Sequence, residues 1–139
     1  MPSKPQTLLH LIDHQSTAYL GAVAADGFPQ IKAMLAPRRH EGLKVFYLTT
    51  NTSSRHVAQF RANPQACLYF CDQRYFRGLM LEGFIEVLED SASKELIWQD
   101  GDTLYYPQGV TDPDYCVLRF TAQKGRYYSN FHSSDISLE

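Results

Sequence analysis

Leu43-Lys44-Val45-Phe46-Tyr47-Leu48-Thr49-Thr50-Asn51-Thr52-Ser53-Ser54-Arg55-His56-Val57-Ala58-Gln59-Phe60-Arg61-Ala62-Asn63-Pro64 is the stretch that decides the fold. Leu43 to Thr49 is rich in β-branched and aromatic residues and reads as a strand. From Ser53 or Ser54 the period changes. Val57 and Phe60 share one helical face, Arg55, Gln59 and Arg61 can meet solvent, and Asn63-Pro64 stops the helix. Five Ser or Thr hydroxyls lie between Thr49 and Ser54, beside the unpaired N–H groups of a helix start, with Arg55 and His56 following. A helix start carries about half a positive charge and arginine can grip phosphate oxygens in pairs, so this turn suits an anion. The same residues also fit a plain helix cap, Thr52 or Ser53, with the other hydroxyls in water.

Working outward, Ala18 to Ala24 and Phe28 to Ala36 are two apolar runs joined by Asp26-Gly27, which predicts an antiparallel hairpin. Leu8, Leu9, Leu11 and Ile12 give a short amphipathic helix over Thr7 to His14. Pro37 to Gly42 reads as a turn, Gln65 to Cys71 as a fourth strand, and Phe76 to Leu88 as a long fifth in which Gly78 and Gly83 mark bulges or close backbone approach. Asp90 can cap a short helix ending near Trp98, and Gln99 to Asp114 is a Gly- and Pro-containing loop of a length associated with function or with lids. Tyr115 to Phe120 is a sixth strand. A turn at Gln123-Lys124-Gly125 precedes a seventh from Arg126 to Phe131. Short strands joined mostly by hairpins, with brief helices between, give a mostly β fold: an antiparallel barrel of six to seven strands.

The chain of 139 residues, 44% of them apolar, can bury one core and is too short to divide comfortably, so residues 1–139 are expected to form a single domain. A net charge of −2 offers no long-range attraction to nucleic acid or to an anionic membrane. No apolar run approaches the roughly 20 residues needed to span a bilayer, and no signal-peptide core follows Met1 to Gln6, so a cytoplasmic location is expected. Cys67, Cys71 and Cys116 form no CxxC and read as core residues rather than as a disulfide framework or a zinc knuckle. His10 and His14 have the i, i+4 spacing of a metal pair but no third ligand nearby, so no metal is expected. Arg38-Arg39-His40 reads as a solvated basic turn, and Glu82 and Glu86 as surface partners for Arg or Lys rather than a catalytic pair.

Ile31-Lys32-Ala33-Met34-Leu35, Phe46-Tyr47-Leu48-Thr49-Thr50, Ser54-Arg55-His56, Asn63-Pro64 and Gly83-Phe84-Ile85-Glu86-Val87 resemble, in order and spacing, the pyridoxamine 5′-phosphate oxidase family of FMN-binding split barrels. The resemblance is good over about residues 15 to 90, and Tyr106 to Tyr115 is similar to the short, general-stress-protein-like members. It implies a split barrel, a homodimer with FMN at the subunit interface, and a small-molecule substrate or an electron donor such as NAD(P)H. It places the phosphate at Thr49 or Thr50, Ser53, Ser54, Arg55 and His56, and the flavin edge along Lys32, Ala33, Met34 and Leu35. Tyr47, Gly78 and Tyr128 complete the implied cofactor site.

Four departures matter. His56 stands where the family usually has Lys, which implies weaker phosphate binding and a pH dependence near the ordinary imidazole value of about 6.5. Lys32 stands where the biosynthetic oxidase has Arg. Gly78 replaces a flavin-contacting Gln, and the C-terminal Arg-x-His pattern that binds substrate is missing. The expectation is therefore an FMN-dependent oxidoreductase that does not act on pyridoxamine phosphate. A flavin-binding or sensing module without turnover is the alternative, as is a split barrel holding F420 or haem, for which His132 is the one tail histidine available as an axial ligand.

Overall fold

The structure is a computed structural model describing residues 4–138; Met1, Pro2 and Ser3 of the N-terminal segment lie outside the described residues. Helix α1 (Lys4–Asp13) precedes the hairpin β1 (Thr17–Val23) and β2 (Pro29–Leu35). The Asp26-Gly27 turn forms as expected: Gly27 is left-handed at φ 87°, and the Asp26 carboxylate accepts the Phe28 N–H at 3.1 Å. Next come β3 (Arg39–Glu41), β4 (Val45–Asn51), α2 (Arg55–Ala62), β5 (Gln65–Asp72) and β6 (Arg77–Leu88). Helix α3 (Ser91–Ile97) is capped by Asp90, which accepts from the Ser93 N–H at 3.0 Å. Two short 3-10 turns follow, Asp100–Leu104 and Gly109–Thr111, and then β7 (Tyr115–Ser129) and β8 (His132–Ile136).

The strands pair in the order β2-β1-β5-β6-β7-β4-β3, with β8 added to the second half of β7. Met34 near one end of this order and Phe46 and Leu48 near the other belong to a single buried cluster with Leu20, Leu68, Leu81 and Phe120. One apolar core shared by both ends of a sheet requires the sheet to roll up, and the result is the expected split barrel. Helices α1 and α2 add Leu8, Leu11, Ile12, Val57 and Phe60 to that core.

Three features differ from the sequence-based expectation. The supposed turn at Gln123 to Gly125 is continuous strand: Gly125 pairs with both Leu81 and Ile136, and the irregularity is a bulge at Gln123, where Glu82 faces Lys124 but Gly83 faces Ala122. Gly83 is required there, since a Cβ would run into the Thr121 carbonyl. Gly78 also lies under a close neighbour, the Tyr69 phenol. The strands β3 and β8 are too short and polar to show in a hydrophobic pattern.

Candidate functional site

The hydroxyl-rich turn between β4 and α2 is built by two strapped segments. Asp114, at the end of the long loop, accepts the Ser53 N–H at 2.9 Å and the Asn51 amide at 3.3 Å, while its own carbonyl accepts the Thr52 N–H at 2.7 Å. The Thr52 hydroxyl donates to the Pro113 carbonyl and the Ser54 hydroxyl to the Asn51 carbonyl, at 3.0 and 2.7 Å. Backbone and hydroxyl donors on this side are thus committed to the fold, and a carboxylate already sits against Ser53.

The opposite side of the same turn is where positive charge gathers. Lys32 from β2, Arg55 and His56 from the first turn of α2, and Gln59 one helical turn on line a cavity of about 220 Å3 with Gln30 and Leu20. No carboxylate lines it. Arg38, Arg61, Arg77, Arg119 and Arg126 each hold a carboxylate, whereas Arg55 has no ion pair among the described residues, and neither has Lys32. The Gln59 amide donates to Gln30 at 2.7 Å and so fastens α2 to β2 across the cavity.

His56 is only 7% exposed. Its Nε2 lies 2.7 Å from the hydroxyl of buried Thr50 and 3.3 Å from Ser54 Oγ. Burial, reinforced by the Lys32 ammonium, pushes the imidazole down to about 4, so the ring is neutral at physiological pH. The pH dependence near 6.5 expected from the sequence is therefore corrected to a titration well below it.

A second and larger groove of about 690 Å3 adjoins the first and shares Ala22, Gln30 and Ile31 with it. Gly21, Ala66, Cys67 and Gly83 lack bulk and make its floor low, and Phe84 stands at its edge. Ile31 is 73% exposed and Phe84 44%, so an apolar strip runs along this outer face.

Of the residues picked out from sequence, the structure gathers Lys32, Arg55 and His56 at the cavity, with Thr50 and Ser54 touching His56 from behind. Strand alternation divides the rest. Met34 points into the main core, and Ala33 and Leu35 are exposed. Tyr47 is buried in a separate cluster with Ile97, Tyr106, Tyr115 and Val117, and Thr49 shares its side of β4. Ser53 is exposed on the Asp114 side. Gly78 and Tyr128 face each other across β6 and β7 and line neither cavity. His132 is exposed at the start of β8. Gln59 and Gln30 were not singled out, though Gln59 stands at i+4 from Arg55, the spacing that stacks two side chains on one helix face.

Cys116 and Cys67 are poor nucleophiles: burial pushes Cys116 up to about 11 and also raises Cys67. Among the described residues no cluster of His, Cys, Asp or Glu could hold a metal ion. No helix of the described residues is long and apolar enough to cross a membrane.

The comparisons with known proteins agree with this architecture. Residues 3–138 match the family described as pyridoxamine 5′-phosphate oxidase like. A Clostridium acetobutylicum protein related to general stress protein 26 of B. subtilis, of the pyridoxinephosphate oxidase family, is 43% identical, with a TM-score of 0.89 over 96% of this chain and 94% of that one. General stress protein 26 from Bacillus anthracis is 20% identical with a TM-score of 0.77, covering 95% of this chain and 98% of that one. A heme binding protein from Mycobacterium smegmatis shares the fold at 16% identity and a TM-score of 0.79, over 99% of this chain and 59% of the other. None of the curated proteins matches the chain.

Proposed function

Because the chain belongs to the pyridoxamine 5′-phosphate oxidase-like family, we propose that it is a cytoplasmic, homodimeric FMN-binding flavoprotein that works as an oxidoreductase on a substrate other than pyridoxamine phosphate. The observation that carries this reading is the meeting of two ion-pair-free cations, Lys32 and Arg55, at a cavity with no carboxylate in its wall. A cavity of about 220 Å3 is smaller than the roughly 300 Å3 at which ligand pockets begin, so it suits a phosphate rather than a whole flavin. The adjoining groove has the apolar wall and the volume for the rest of the cofactor.

In this reading Arg55 and Lys32 hold the phosphate oxygens, Gln59 donates beside them, and the Gln59–Gln30 bond keeps the helix at a fixed distance from β2. When bound, FMN supplies hydride or electron transfer at its ring N5, and the protein supplies position and electrostatics. The exposed strip of Ile31 and Phe84 is the surface that a second copy would cover, closing the groove against water.

An absorbance scan of the purified protein tests the cofactor. Bands near about 370 and 450 nm, the usual flavin pair, are expected. A Soret band instead, or no change on adding FMN, would overturn the assignment. Reduction of the bound flavin by NADH or NADPH followed by reoxidation distinguishes an oxidoreductase from a flavin-sensing module.

A further inference from the structure

We propose that His56 serves the anion site as an uncharged hydrogen-bond donor through Nδ1–H, leaving the site two positive charges and matching it to the dianion of a phosphate monoester. The inference rests on the phosphate site described above, and its argument begins at Thr50. That hydroxyl is buried, and its one hydrogen-bond partner among the described residues is His56 Nε2 at 2.7 Å. A buried hydroxyl must donate its proton, and Nε2 is the acceptor present. The Ser54 hydroxyl sends its proton to the Asn51 carbonyl and could only accept from Nε2, but at 3.3 Å that contact is much the longer of the two, and the 2.7 Å approach of Thr50 decides the tautomer. With Nε2 accepting, the neutral ring carries its hydrogen on Nδ1. Nδ1 has no protein partner among the described residues, and the ring lines the cavity, so this N–H is free to meet a ligand.

The groups around the ring explain why it stays uncharged. Lys32 approaches from β2, Arg55 from its own helix and Thr50 from β4, while Leu20 and Ala22 of β1 present apolar surface. Burial and Lys32 both oppose a proton on the ring, and no carboxylate favours one. A third cation is also unnecessary, since Lys32 and Arg55 already balance two negative charges. Thr50 is then a positioning residue: it touches no ligand and sets which nitrogen faces the cavity.

Sulfate and inorganic phosphate separate the charge of the site from the charge of the ligand. Sulfate is a dianion throughout pH 5 to 8, whereas inorganic phosphate passes from dianion to monoanion near about pH 7, roughly a unit above the value of about 6 for a monoester. Sulfate affinity is expected to stay flat over this range and phosphate affinity to fall on acidification. A several-fold gain in sulfate affinity on lowering the pH would mean that His56 takes up a proton with the anion, and would overturn the proposal. Long-range 1H–15N spectra of the cofactor-free protein should show His56 neutral with hydrogen on Nδ1 at pH 6, with sulfate present or absent; an imidazolium or an Nε2–H pattern would also overturn it. His56→Asn, which keeps a donor near the Nδ1 position, should retain more sulfate affinity than His56→Leu, for which a loss of about tenfold is expected. None of these readouts needs a flavin, so failure to bind FMN would sink the cofactor reading and leave this one standing.

Discussion

Arg55 and Arg38 lie on the same polypeptide and do opposite jobs. Arg38 donates from both terminal guanidinium nitrogens to the two carboxylate oxygens of Asp102, at 2.7 and 2.9 Å, and also donates to the Ile97 carbonyl. Arg55 is exposed at the cavity without a carboxylate. Arg55→Ala should leave thermal stability nearly unchanged and weaken FMN binding by about 1.5 to 3 kcal/mol, the usual worth of a hydrogen bond to a charged group, which is roughly 10- to 100-fold in a fluorescence titration. Arg38→Met should do the reverse. It strands a carboxylate whose side chain is only 4% exposed, and a loss of about 3 kcal/mol in urea unfolding at pH 7 is expected.

The Arg38 guanidinium also holds the Asp102 carboxyl below the ordinary 3.8, against the opposing effect of burial. A depressed folded value means that the stabilisation is present above the unfolded value and disappears as pH falls through the folded one. Wild-type stability should therefore drop on acidification below about pH 4, and in Asp102→Asn that part of the drop should be missing from the urea midpoints.

Among the elements, β6 and β7 depend on one glycine. Gly83→Ala places a methyl against the Thr121 carbonyl, which is backbone and cannot swing aside, so a loss of about 1 to 3 kcal/mol and a change of register near Gln123 are expected. Amide exchange at Ala122 and Lys124 checks the register. The bulge was legible in the sequence because a glycine inside a strong strand pattern needs a reason. The continuity of β7 was not, because Lys124-Gly125 looks like a turn until Leu81 and Ile136 are seen closing over Gly125. The long loop hid its role for a related cause. Asp102, Asp112 and Asp114 look like solvated turn residues, but each carboxylate accepts a backbone N–H: those of Gln99, of Gln108 and Asp114, and of Ser53. Only the folded geometry shows that the loop straps down the β4–α2 turn. For the same reason the structure divides the residues that the sequence had grouped around this turn. Lys32, Arg55 and His56 could be picked out by charge and order, while the hydroxyls of Thr52 and Ser54 went to carbonyls that no spacing rule identifies.

For the molecule as a whole, the face carrying Ile31 and Phe84 sets the oligomeric state proposed for it. Ile31→Glu lies on an exposed strand position, so folding should persist while sedimentation shifts from dimer toward monomer and flavin retention falls. A variant that stays dimeric would place the subunit contact elsewhere. The 15-residue β7 has a further consequence, this time for the order of assembly. It pairs with β4 and β6 along its first half and with β6 and β8 along its second, so β4 and β6 each lack a neighbour until the chain beyond Asp114 has been made. A growing chain on the ribosome must wait until β7 has emerged before the barrel can form. A product released after residue 114 would carry two long unpaired edges, and should be recovered as aggregate or in the hands of a chaperone rather than as a smaller folded protein.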